Sequence, residues 1–188
     1  MPKLIENHLL GSIRDTRDAR PSRGALLESM MIFTAIEVCG SFLTGNTGPG
    51  TTETNFKKFW GSEYMPSKYH NFGELLYKIY RNGVSHSFVA KGGVIPTEAT
   101  EDIDNHLHLT DHGIYIYVPL LGEDIKSGMK KLLEDIKKNK NDLQKKYCDV
   151  LKKIYDCGMN EYGQFIKKYS LKTLKIKLDG DIESDIPC

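Results

Sequence analysis

Ala25-Leu26-Leu27-Glu28-Ser29-Met30-Met31-Ile32-Phe33-Thr34-Ala35-Ile36-Glu37-Val38-Cys39-Gly40-Ser41-Phe42-Leu43 carries apolar side chains at 26, 27, 30, 31, 33, 36, 38 and 42. These positions run nearly all round a helix rather than along one stripe, as a helix at the centre of a bundle requires. The longest apolar run, Met30 to Leu43, is short for a bilayer span and contains Glu37, so it reads as a buried core helix, and no membrane association is expected. A carboxylate in so apolar a helix must find a partner, neutralise, or reach solvent at the helix edge, and Arg81 is one candidate partner. Gly45 and the stretch from Asn46 to Thr52, with three Gly or Pro, end the helix in a loop.

Outward from this segment the pattern stays mainly helical. Residues 1–23 form a mixed extension, with Leu4, Ile5, Leu9, Leu10 and Ile13 placed for a short amphipathic helix before Pro21-Ser22. Thr54 to Phe59 predicts a second helix, and Pro66 bars helix through the aromatic-rich link 60–70. Asn71, with Glu74 three residues on, resembles a capping box, and Phe72, Leu75, Leu76, Ile79 and Gly83 then trace one face. Lys91-Gly92-Gly93 reads as loop. His106 to Leu109 and Ile114 to Val118 alternate around Asp111-His112-Gly113, which predicts a β-hairpin over 105–119. From Glu123, apolar residues at helical spacing reach Ile154, with a break expected at 139–141 and an end near Gly158 and Gly163. An edge strand over 171–178 is possible, and the acidic stretch 179–188 reads as a flexible tail. The expected fold class is therefore mainly α: a single domain over 1–188, built as a helical bundle with a small β-hairpin insertion or extension.

Composition narrows the function classes. The chain has 188 residues with a formal net charge of +1, enough length for one real core and no overall charge bias. The cysteines at 39, 148, 157 and 188 form no Cys-x-x-Cys pair, and without a signal-like segment ahead of them they read as reduced thiols of a cytoplasmic protein. Between Lys126 and Lys177 there are 15 Lys against six acids, which leaves the rest of the chain acidic. Such a basic half can track phosphates, with Lys130, Lys137, Lys145 and Lys152 as candidate contacts, although Lys on a helix face is ordinarily only solvation. No P-loop, Gly-x-Ser-x-Gly or His-Glu-x-x-His motif occurs. His106, His108 and His112 lack a Cys or well-spaced carboxylate to complete a metal site, so no metal or other cofactor is expected.

The candidate site is Arg81-Asn82-Gly83-Val84-Ser85-His86, at the end of the helix begun near Asn71. Arg81 is the only Arg after position 23. Its guanidinium stays charged and grips phosphate at two points, while His86 exchanges protons near neutral pH, a pairing suited to phosphodiester chemistry. On an unbroken helix the two side chains would lie about 140° apart. Either Gly83 loosens the last turn, or a second copy completes the pair across an interface. The alternative is structural, with Arg81 salt-bridged at the helix end and His86 packed on the apolar face.

An Arg-Asn-x-x-x-His motif following an amphipathic helix, in a mostly helical domain of this size, resembles the HEPN superfamily. The resemblance covers roughly residues 25–160, with the 105–119 hairpin as an addition. It implies a helical bundle acting as a homodimer, and a metal-independent endoribonuclease of the kind found in toxin–antitoxin, phage-defence and RNA-processing systems. Arg81, Asn82 and His86 are then the catalytic residues, with Glu37 and Ser85 as possible support. His86 acts as base on a ribose 2′-hydroxyl or as acid on the leaving oxygen, and Arg81 stabilises the charge that develops. RNA, a second copy and an antitoxin or other partner protein are the implied partners. The reading from a different class is a non-catalytic helical module that binds RNA or a partner protein.

Overall fold

The computed structural model describes residues 4–18, 25–83 and 92–169. Ser85 and His86, the 171–178 segment and the 179–188 tail lie outside the described residues. A π-helical run, Leu4–Leu10, continues into α1, Gly11–Asp18; α2 is Ala25–Thr44 and α3 is Thr52–Trp60. A composite helix follows: a 3-10 turn Ser67–Phe72, the short α4 Gly73–Leu75, and a π-helical stretch Leu76–Arg81. Strand β1, Gly93–Thr97, leads through a 3-10 turn, Thr100–Asn105, to β2 Leu109–Thr110 and β3 Gly113–Tyr117. Two long helices complete the described chain, α5 Val118–Lys137 and α6 Leu143–Tyr169, joined by a 3-10 turn at Lys140–Asp142. The architecture is mainly helical with a small three-stranded sheet, as the hydrophobic patterning predicts.

Helix α2 is the hub, in contact with α1, α3, α5, α6 and β1. Its buried residues Ile32, Phe33, Ala35, Ile36, Cys39 and Phe42 cover about half of its circumference. Among the described helices, the stretch Leu27–Thr44 is long and apolar enough to cross a membrane, so length does not set it apart from a span as the sequence reading supposed. What sets it apart is that its apolar surface is spent on neighbouring helices. Gly40 makes the closest of these contacts possible, because a Cβ there would lie 1.9 Å from the Asn55 carbonyl oxygen of α3. The helix then ends with Gly45 at φ +71°, its N–H donating to the Ser41 carbonyl at 2.8 Å. This is the left-handed C-terminal closure that glycine allows without strain.

Several expectations need correction. Asn71 does not cap a helix, because the helical path already starts after Pro66. On the expected face Leu76 and Gly83 are buried and Phe72, Leu75 and Ile79 pack against the core, but the burial extends to Tyr69, Gly73, Tyr77 and Tyr80 as well. The tyrosines bury their rings and place their hydroxyls on polar partners, so an aliphatic count misses them. The sheet is larger than a hairpin, since β1 pairs in parallel with β3 in the order β1-β3-β2. Only Leu109 and Thr110 of the expected first arm are strand, because Leu107 takes φ +67° and breaks its extension. Ile114 and Ile116 face the core, and Tyr117 is buried beside them. Finally, α6 continues through Gly158 and Gly163 to Tyr169, and Cys148 is disulfide-bonded rather than reduced. The break between α5 and α6 falls where expected, with Asn139 and Asn141 both left-handed at φ 51°.

Candidate active site

Arg81 closes the π-helical stretch, a wider turn than α, and such turns concentrate at functional positions in helices. Its guanidinium is bidentate to Glu37, Nε donating to one carboxylate oxygen and Nη2 donating to Oε2 at 2.9 Å. Nη1 donates to Asn82 Oδ1 at 3.1 Å, and the guanidinium carbon lies 5.4 Å from the Tyr77 ring centroid. The two charged side chains keep 16% and 13% of their exposure, so the pair sits at the rim of the core. The hydrogen bond to Glu37 raises the Arg81 pKa further, and the cation is permanent. Of its five N–H donors, three are engaged by described residues. Glu37 and Asn82 aim the fork, and among the described residues the two remaining N–H donors have no partner.

The structure thus joins Arg81, Asn82 and Glu37, and the buried carboxylate of α2 finds the partner the sequence suggested. His86 and Ser85 lie outside the described residues. The candidate RNA-contacting lysines divide. Lys130, Lys145 and Lys152 are exposed, while Lys137 is paired with Glu134 at 3.0 Å and Glu6 at 3.5 Å. Nearby cations are likewise offset: Lys140 contacts Glu63 and Asp135, and Lys131 contacts Glu63. The basic half is less positive at its surface than its composition implies.

Sequence reasoning missed a second polar assembly. The Tyr69 hydroxyl donates to Asp124 Oδ2 at 2.7 Å and lies 2.7 Å from His106 Nε2, while the Tyr117 N–H donates to His106 Nδ1 at 3.1 Å. The network assigns the proton to Nε2, giving a one-way chain from backbone through His106 and Tyr69 to Asp124, which Lys68 meets at 2.9 Å. Burial, with Lys68 adding to it, pulls the His106 pKa down to about 4, so the ring is neutral at physiological pH. Burial and the bond to Asp124 push the Tyr69 hydroxyl up. Both ring nitrogens of His106 are engaged, and His108 and His112 are exposed, so the three histidines do not converge on a common point. Among the described residues no group of three His, Cys, Asp or Glu is placed to hold a metal ion. The only sequence trace of this chain is a tyrosine that sits in the core without an apolar period.

Comparison with protein-family models, with curated proteins and with solved structures returns no match.

Proposed function

We propose that the protein is a HEPN-like endoribonuclease, cytoplasmic and homodimeric, that cleaves RNA by attack of the ribose 2′-hydroxyl on the adjacent phosphodiester. The observation that supports this reading best is the Arg81 fork, fixed by Glu37 from α2 and by Asn82, with two N–H donors unused among the described residues. An oriented cation of this kind stabilises the charge that builds on the phosphate oxygens in the transition state. His86 supplies proton transfer, worth roughly 10²–10⁴-fold in rate, and the products are a 2′,3′-cyclic phosphate and a 5′-hydroxyl. A role in defence, as a toxin with a cognate antitoxin, or in RNA processing follows from the same resemblance.

The test is cleavage of a mixed RNA substrate in EDTA by the wild type, His86→Ala and Arg81→Ala. Cleavage by the wild type, reduced about 100-fold or more in both variants, is the expected result. Equal cleavage by all three, or none by the wild type, overturns it.

The second reading, a non-catalytic module for RNA or a partner protein, is favoured by one observation. Three Arg81 donors are already used inside the chain, as a purely structural pair would use them. RNA binding without cleavage, with affinity falling as salt rises, is its signature.

A further inference from the structure

The segment from His106 to His112 turns only its first two side chains inward. His108, Leu109, Thr110, Asp111 and His112 are exposed, whereas His106 and Leu107 are half-buried and Leu107 packs against the core. Leu107 does so at φ +67°, a left-handed backbone that a residue with a Cβ disfavours. Such strain persists only where the surrounding structure imposes it. The neighbouring anchor is the His106 ring, which stands edge-on to the Tyr69 ring with centroids 5.5 Å apart.

That ring fits its place in one protonation state alone. Nδ1 accepts from the Tyr117 N–H at 3.1 Å, and a backbone amide cannot reverse its role. Nε2 therefore carries the single proton and donates it to the Tyr69 hydroxyl at 2.7 Å, which donates in turn to Asp124. A second proton would have to sit on Nδ1, facing another N–H. The Tyr117 amide, buried where β3 passes into α5, would lose its acceptor at the same moment. The charges facing the ring do not reverse this. Lys68 of the first 3-10 turn repels an imidazolium, and Asp124 of α5 attracts one, but Asp124 Oδ2 is already shared between Lys68 at 2.9 Å and the Tyr69 hydroxyl. Strand β3 holds no charged residue, its titratable side chains being Tyr115 and Tyr117, and Asp104 on the turn before His106 is exposed.

We propose that His106 to His112 is an acid-released latch, in which protonation of His106 frees the segment from Tyr69 and from β3 while the helices around α2 stay folded. The inference does not depend on the ribonuclease reading. With the ring gone, the segment keeps only its pairing with β3, two bonds between Leu107, His108 and Tyr115 and the two-residue strand β2, and the strain at Leu107 favours letting go. The sign follows from linkage. Burial, with Lys68 adding to it, holds the closed ring at about 4, and release returns it to its ordinary 6.5, so the latch is shut above pH 6.5 and opens progressively below.

Amide hydrogen exchange of the full chain, read by NMR between pH 7 and pH 5 as protection factors, tests it in wild type, His106→Gln and His108→Gln. Glutamine accepts and donates hydrogen bonds without titrating, and His108 is exposed and takes no side-chain part in the network. The His106 ring signals give its protonation on the same samples. Expected in wild type and His108→Gln is a loss of protection of about tenfold or more at the Leu107, Tyr115 and Tyr117 amides, in step with protonation of the ring. The α2 amides of Ile36 and Cys39 keep theirs, and His106→Gln shows no loss. Constant protection in wild type overturns the proposal. So does a loss that runs ahead of ring protonation, the same loss in His106→Gln, or a parallel loss in α2, which would be global unfolding. Should the glutamine fail to seat and leave the three amides open at pH 7, agreement between protection and ring protonation in wild type decides by the same criterion.

Discussion

Replacing Arg81 by Ala should cost about 2–3 kcal/mol of unfolding free energy, and replacing Glu37 by Gln about 1–2 kcal/mol. The estimate starts from exposure. Fully solvated ion pairs contribute about 0.2–1 kcal/mol, whereas breaking a fully buried one costs about 3–5 kcal/mol. With 16% and 13% exposure, the Arg81–Glu37 pair lies nearer the buried limit. Arg81→Ala is the harsher change, because it strands a carboxylate on the most apolar helix and removes the cover over Tyr77. Glu37→Gln leaves an amide oxygen that still accepts one hydrogen bond. Arg81→Lys keeps the charge and loses the fork, which places it near 1 kcal/mol. Because the two side chains touch, the double variant should be less destabilised than the sum of the singles by about 1–2 kcal/mol. In a chain of this length each kcal/mol moves Tm by about 2–4 °C, so Arg81→Ala should melt about 4–12 °C lower. Urea and thermal unfolding of the wild type and the four variants, followed by circular dichroism, measure these quantities. Single losses below about 0.5 kcal/mol with no coupling would refute the reasoning, and the claim that Glu37 aims Arg81 would fall with it.

Gly40→Ala should destabilise by at least about 3 kcal/mol or prevent folding, because its methyl would stand 1.9 Å from the Asn55 carbonyl; a thermal melt within 2 °C of wild type would show that α2 and α3 cross less closely. Gly45→Ala, at φ +71°, should cost about 1 kcal/mol in the same measurement, and no loss would contradict the left-handed closure of α2. Acid should weaken the fold through His106. Its folded pKa is depressed to about 4 from 6.5, so its contribution is fully present above pH 6.5 and is lost as pH falls toward 4. Unfolding free energy measured across this window should slope downward in wild type and flatten in His106→Gln; equal slopes would mean that His106 is not the group responsible.

What the sequence determined is the part of the fold that depends on local periodicity. The broad apolar pattern of 25–43 made α2 central, because such a helix has more apolar surface than one neighbour can cover. Gly45, Pro66 and the Asn pair at 139 and 141 marked real breaks, because each carries a backbone preference that neighbouring residues cannot override. The same logic explains the errors. A period count weights aliphatic residues, so on 67–83 it found the packed positions 72, 75, 76, 79 and 83 but passed over Tyr69 and Tyr80, which bury their rings and hand their hydroxyls to Asp124 and Ser29. Strand β1 is five residues that open on glycine and are interrupted by Pro96, and it exists because β3 lies alongside to complete its hydrogen bonds. Gly158 and Gly163 suggested a stop, yet an isolated glycine only weakens a helix, and α6 runs on.

For the site, sequence supplied the residue types, and Glu37 could be named as a partner of Arg81 because a carboxylate inside an apolar helix needs one. That the two meet as a bidentate pair required α2 and the 67–83 helix to pack side by side. The His106–Tyr69–Asp124 chain had no legible signal, since its members are 37 and 18 residues apart and are joined only by the packing of the hairpin, the 3-10 turn and α5. Periodicity is a property of neighbours along the chain, and hydrogen-bond partners are a property of neighbours in space. The first was available from the letters, and the second came into being only when the helices closed around α2.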